Sequence, residues 1–251
     1  MTVTRIATST ATDITIRGRS LIELLGKLSF TEMIHFQMLG RMPTPAQTAV
    51  IDACLVALME HGLTPSAIAT RLVYGSAPEA MQGAVAAGLL GVGGRFVGTV
   101  EGCALLLARV VAAQDRAAEI QHILDEARAP LPGFGHDVHR PDDPRTPRLF
   151  AVAREHGIAG AHVEALEALG AALDRARRRH ITINATGAVA AVLADAGVPP
   201  EILRGFALIA RCAGLVGHIH EEQRHPAMTA MWQAADRAIP YADSDEREEP
   251  K

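Results

Sequence analysis

Residues 45–60 read PAQTAVIDACLVALME, and apart from Gln47, Thr48, Asp52 and Glu60 every side chain in the stretch is apolar. A helix with apolar groups on nearly all sides cannot be covered by a single neighbour, so this segment demands a shell of other elements around it. The material for that shell is helical. Hydrophobic residues make up 49% of the chain but aromatics only 4%, and Ala and Leu outweigh the β-branched and aromatic residues that strands favour. The expectation is an all-α fold, and 251 residues suffice for one large domain or two modest ones.

Helix starts are marked by a hydroxyl followed by proline, at Thr44-Pro45, Thr64-Pro65 and Thr146-Pro147, since proline at the first helical position sacrifices no hydrogen bond. Between such signals the pattern predicts helices near 20–28, 30–39, 45–60, 65–73, 77–90, 98–127, 147–156, 161–179, 186–196, 200–222 and 227–238, with no strand and no internal repeat. Glycine-rich breaks at 91–98 and 131–135 suggest a large helical domain from 1–98 and 201–242 and a small one from 99–200, with a site between the two lobes. The charged end at 243–251 is expected to be a disordered tail.

A net charge of -4 and a pI near 6.3 offer no basic surface for nucleic acid or acidic lipid. Cys54, Cys103 and Cys212 are odd in number, far apart and set in apolar surroundings, so they read as buried free thiols. The opening stretch MTVTRIATSTATD holds no apolar h-region, so no leader is expected, and no uninterrupted apolar run reaches the roughly 18 to 20 residues of a membrane span. The expectation is a soluble, cytoplasmic protein with no nucleic-acid or membrane partner.

Three stretches carry candidate chemistry. In LPGFGHDVHRPDDPR, 131–145, Gly133 and Gly135 flank Phe134 and lead into His136. Glycine permits positive φ and close approach of a ligand, so a tight turn with free amides there would suit a phosphate, a carboxylate or a thioester oxygen; the alternative is an ordinary linking loop. In MEHGLTP, 59–65, His61 follows a buried helix whose C-terminal dipole favours a protonated ring, as a site residue or as a cap. In GFALIARCAGLVGHIHEEQRHP, 205–226, Arg211 is costly to bury without an anion, which is either a ligand or an internal carboxylate. His218, His220, Glu221 and Glu222 are rejected as a metal site, because rings two residues apart on a helix diverge by about 200°.

Together these motifs resemble the citrate synthase superfamily, and within it the citryl-CoA lyase branch. GFGHDVHRPDDPR resembles the family's glycine-flanked histidine and Asp-Pro-Arg element, and MEHG its histidine-bearing helix end. GVGGRFVGTVEGCA resembles the Gly-Asp-Arg-Phe-Gly-Gly stretch of the citryl-CoA lyase domain of ATP-citrate lyase, and ARCAGLVGHIHEE the arginine helix near the C-terminus. The resemblance spans residues 15–226 and implies a two-lobed all-α fold, a homodimer with helices packed across the two-fold axis, and a cleft where a CoA thioester meets a polycarboxylate.

By that resemblance His136 binds substrate oxygens and His61 orients the keto-acid carboxylate. Arg145 and Arg211 grip carboxylates, with Arg95 and Arg224 as further substrate contacts and Arg224 more closely spaced from Arg211 than in the family. Gly133, Phe134 and Gly135 would contact CoA, with Arg17, Arg71 and Arg95 as its basic candidates. No metal is implied.

Two departures stand out. Arg95-Phe96 occupies the place of a synthase histidine, as in citryl-CoA lyases, which favours cleavage. Thr186, in Asn184-Ala185-Thr186-Gly187, stands where the family has its catalytic aspartate. A threonine hydroxyl cannot exchange a proton at carbon near neutral pH without a base, so Asp137 and His139 become catalytic candidates beside His136 and Thr186. The implied activity is a carbon–carbon lyase or aldolase; CoA-thioester hydrolysis and non-catalytic binding of a carboxylate or CoA are the alternatives.

Overall fold

The computed structural model describes residues 2–94 and 96–241; the candidate Arg95 and the tail at 243–251 lie outside them. The architecture is helical, as the composition implies, running from α1 (Leu21–Leu24) and α2 (Phe30–Leu39) through α3 (Pro45–Met59), α4 (Pro65–Ser76), α5 (Met81–Leu90) and α6 (Thr99–Ala112). It continues through α7 (Arg116–Glu126), α8 (Arg145–Glu155), α9 (Ala161–Arg177), α10 (Ala185–Asp195), α11 (Leu203–Arg224) and α12 (Met228–Ala238).

One expectation fails at the start of the chain. Three short antiparallel strands, β1 (Ala7–Ser9), β2 (Ile14–Ile16) and β3 (Arg19–Ser20), form a small meander where no strand was expected. Arg17 and Gly18 turn β2 into β3 with φ of 50° and 81°, the positive values that a two-residue hairpin needs. Arginine is an unusual choice there, and tertiary contact holds it: its Nε and Nη2 donate to Gln37 O at 3.2 and 2.9 Å.

Other boundaries shift for local reasons. The helix expected over 20–28 is a single turn. That expected over 98–127 breaks near Gln114, because Asp115 accepts Ala118 N at 3.0 Å and caps a new helix. Thr146 does not start α8, which begins at Arg145; its hydroxyl instead donates to Ile183 O at 2.8 Å. Thr44 does cap α3 through Gln47 N, and Gln47 Oε1 accepts Thr44 N in return.

The chain groups into two compact units, Met1–Leu58 with Gly94–Ala207, and Met59–Gly93 with Leu208–Lys251, a partition that cuts across the lobes drawn from the sequence. In the first unit α3 buries Val50, Ile51, Cys54, Leu55 and Leu58 along one face, while Val56 stays 63% exposed, so its burial is not all-round. The helix buried on nearly every side is α10, where Gly187 to Leu193 are all inaccessible and α6, α8 and α9 pack around it. Its Ala-rich sequence, ATGAVAAVLAD, allows three helices to approach at once.

In the second unit α4 lies against α5 and α12. Arg71, proposed from sequence as a CoA contact, is buried there. Its Nε donates to Glu222 and its Nη1 to Glu221, both at 2.6 Å, so its charge is already engaged. Among the described residues one stretch, Pro200–Arg224, is long and apolar enough by length and composition to cross a membrane, although Arg204 and Arg211 interrupt it. Cys54 and Cys103 are buried free thiols, and burial pushes Cys103 up to about 12; Cys212 is only half-buried.

Candidate functional site

In the first unit the loop 131–145 is held against the N-terminus of α10. Gly135 N donates to Thr182 O at 2.7 Å and Asn184 N to Gly133 O at 3.0 Å, pairing the loop antiparallel with 182–184. The approach is so close that glycine is required on both sides. A Cβ on Gly133, whose φ is +90°, would lie 2.5 Å from Cys103 Sγ, and one on Gly187 would lie 2.6 Å from Gly133 O. Phe134 is buried, and its amide donates to Leu131 O, so at Phe134 and Gly135 the amides expected to await a ligand are used in holding the loop.

The pairing fixes His136 at the end of the turn. Its Nδ1 accepts from Val138 N and His139 N, each at 3.0 Å, which leaves the ring proton on Nε2. That Nε2–H lies 3.5 Å from Arg145 Nη2, also a donor, so the two groups present hydrogens side by side. The His139 ring sits 4.4 Å from that of His136, whereas Asp137 is exposed.

Asp143, the acid of the Asp-Pro-Arg element, organises this cluster. Its side chain is fully buried; Oδ1 accepts Arg145 N and Nε at 3.1 and 3.0 Å, and Oδ2 accepts Arg145 Nη2 at 2.8 Å and Ala185 N at 2.9 Å. Burial alone would raise its pKa, but the hydrogen bonds and charge of Arg145, with the Ala185 amide, hold it down at about 2. It is therefore a fixed anion that aims Arg145 and steadies the start of α10; such a weak base cannot take a proton at neutral pH.

Thr186 has no such partner in its hydrogen bonds. Its hydroxyl lies 2.7 Å from Asn184 Oδ1 and 2.7 Å from Thr99 Oγ1, and Thr99 Oγ1 lies 2.8 Å from Phe96 O. Two hydroxyl protons serve three contacts, and both ends of the chain are amide carbonyl oxygens. Nothing in it can draw a proton from Thr186. Asp195 at the far end of α10 accepts Gly160 N, His162 N and Val163 N and caps α9 instead.

The second unit holds His61 and Arg211. His61 lies just past α3 on a half-buried turn, and Arg211 is buried on α11 with Glu60 Oε1 3.8 Å from its Nη1. Arg224, at the end of α11, is exposed. His218 faces Glu60 and Glu222 faces Arg71 while His220 is exposed, so the four residues rejected as a metal set do not converge. Glu60 has no role in the sequence analysis, and Asp143 enters it only as part of the Asp-Pro-Arg element. Each sits next to or near a candidate histidine in a turn, but the acidic letter alone does not reveal which donors it meets.

Comparison with known proteins adds to this geometry. The family described as "Citrate synthase, C-terminal domain" matches residues 3–230. A protein named "Putative citrate synthase 2" from Mycobacterium tuberculosis is 33% identical over 191 residues, covering 72% of this chain and 49% of its own length. The chain thus spans about half the length of the curated relatives of that name. Citryl-CoA lyase from Hydrogenobacter thermophilus superposes with a TM-score of 0.88 at 30% identity, covering 100% of this chain and 98% of that one. ATP citrate lyase from Methanosaeta concilii, solved in complex with (3S)-citryl-CoA, shares the fold with a TM-score of 0.76 at 19% identity over 98% of this chain and 42% of that one.

Proposed function

The chain belongs to the citrate synthase family, and from that premise we propose that it is a carbon–carbon lyase of the citryl-CoA lyase type, cleaving or condensing a CoA thioester of a polycarboxylate. The observation that carries this reading is the pair of donors, His136 Nε2–H and Arg145 Nη2, 3.5 Å apart, with Arg145 aimed by Asp143. Side by side they suit an α-hydroxy or α-keto carboxylate: His136 donates to the hydroxyl or carbonyl oxygen and Arg145 to the carboxylate. Arg211 and His61 would take further carboxylate and keto oxygens, and Arg224 would act from the second subunit of a homodimer. The CoA thioester is substrate, and the reading needs no metal.

In cleavage the hydroxyl loses its proton as the carbon–carbon bond breaks, the bonding pair passes to the thioester enolate, and the enolate carbon gains a proton. His136 stabilises charge on the oxygen but already carries a proton on the facing nitrogen. Thr186 lacks a base, and general acid–base assistance is worth about 10² to 10⁴-fold. Of the two candidates, His139, its ring tilted against that of His136 at 4.4 Å, is better placed to move that proton than the exposed Asp137.

The absence of a carboxylate at residue 186 favours a second reading, thioester hydrolysis on the same scaffold. Incubating the purified protein with a panel of 3-hydroxy-3-carboxyacyl-CoA thioesters separates the two. Release of a keto acid with an acyl-CoA supports the lyase, and free thiol without keto acid supports the hydrolase. Thermal stabilisation by CoA or a tricarboxylate without turnover would sink both in favour of a binding protein. For the lyase, Thr186→Asp should raise turnover, and His139→Gln should lower it by about 10²-fold.

A further inference from the structure

The turn that carries His61 is anchored by a single carboxylate oxygen. After α3 ends at Met59, Glu60 folds back so that its Oε1 accepts His61 N at 2.8 Å and Gly62 N at 2.7 Å. The same oxygen lies 3.1 Å from His218 Nε2 and 3.8 Å from Arg211 Nη1. Arg211, Gly214 and His218 are spaced three and four residues apart, so they share one face of α11. Gly214 makes that face approachable, since a Cβ there would lie 2.1 Å from Met59 O and 3.0 Å from Glu60 Oε2. The side chains of Arg211 and His218 flank a bare strip of helix, and the end of α3 lies on it.

We propose that Glu60, seated on the Arg211, Gly214 and His218 face of α11, is a positioning residue for His61. The two backbone bonds fix the peptide planes on either side of His61, and Gly62, with φ of +73°, takes the bend that returns the chain to α4. His218 and Arg211 keep the carboxylate from swinging toward water, where 44% of its side chain is already exposed. The role of Glu60 is to act through the orientation it gives the imidazole. The functional part of the claim rests on the reading of His61 as a keto-acid contact, whereas the geometric part does not.

Histidine-selective NMR of the full chain, with the His61 Cε1–H signal assigned through His61→Gln, tests the geometry without any substrate. In Glu60→Ala, and independently in Gly214→Ala, the His61 resonance should move while those of His162 and His180 stay in place. In Glu60→Gln, which keeps an oxygen for the amides, it should move less. An unmoved His61 signal in both alanine variants, each folded by circular dichroism, overturns the proposal. In the cleavage assay Glu60→Ala should lower kcat/KM by about 10²-fold, the scale of a misplaced positioning group. Glu60→Ala with His61→Gln together should be no worse than His61→Gln alone; losses that multiply would show that Glu60 acts elsewhere. If the wild-type chain turns over none of the thioesters, the functional reading falls and the NMR result alone decides the geometry.

Discussion

Asp143 and Glu60 perform the same task in two units of the molecule: each carboxylate accepts backbone amides at a turn near a candidate histidine and sits against an arginine. They differ in enclosure. Asp143 is fully buried, with four hydrogen bonds on its two oxygens, whereas Glu60 keeps 44% of its side chain in solvent and gathers its contacts on Oε1. A closed carboxylate that loses its partners leaves buried donors stranded, while an open one lets water replace them. The contrast implies that Asp143 is chiefly a determinant of stability and Glu60 chiefly one of geometry.

The largest expected effect follows directly. Asp143→Ala should destabilise the protein by about 3–5 kcal/mol, as expected when one partner of a buried ion pair is removed, against about 1 kcal/mol for Glu60→Ala. Urea denaturation of the two variants measures the gap, and equal losses would erase the distinction.

Acid should sharpen it. The Asp143 carboxyl is held at about 2 in the folded chain against an ordinary 3.8, so the unfolded chain binds more protons as pH falls below about 4. Its contribution is complete above that value and is lost as pH drops through 2, amounting to about 2 kcal/mol. Denaturation midpoints measured from pH 6 to pH 2 should show this fall in the wild type and a shallower one in Asp143→Asn. For Glu60, burial opposes ionisation, but the His61 amide, His218 and Arg211 outweigh it and lower its pKa, so its smaller loss begins below the ordinary 4.5.

The smallest effect concerns salt. At 1 M ionic strength the screening length shrinks to about 3 Å, which reaches the half-open Glu60 group more readily than the buried Asp143 group. The stability difference between wild type and Glu60→Gln should narrow with salt, while that between wild type and Asp143→Asn should hold. A difference that narrows equally in both would place Asp143 in contact with solvent ions.

Much of the first cluster was legible in the letters. The glycines of GFGH, the histidine and Arg145 are local signals, because a turn and its immediate neighbours are set by backbone sterics within a few residues. Asp143 is visible in the Asp-Pro-Arg element, but its anchoring role is not, since its partner Ala185 lies 42 residues on. Glu60 was missed for the same reason, its side-chain partners being 151 and 158 residues away on α11. The β2–β3 hairpin escaped notice because Arg17 is held at positive φ by carbonyls of α2, a contact that no local propensity encodes.

The sequence alone determined that this chain is helical, where most helices begin, and that His136 and Arg145 share a loop and Arg211 a long apolar helix. Those features depend on period, capping and composition, which act over one or two turns. Only the tertiary structure decided that α10, not α3, is the helix enclosed by its neighbours, and that the ring proton of His136 rests on Nε2. It also decided that Arg71 is engaged by carboxylates and that the hydrogen bonds of Thr186, among the described residues, lead to carbonyl oxygens. These are matters of which donor meets which acceptor across distant segments, and a hydrogen bond is satisfied or stranded only when the chain has closed on itself.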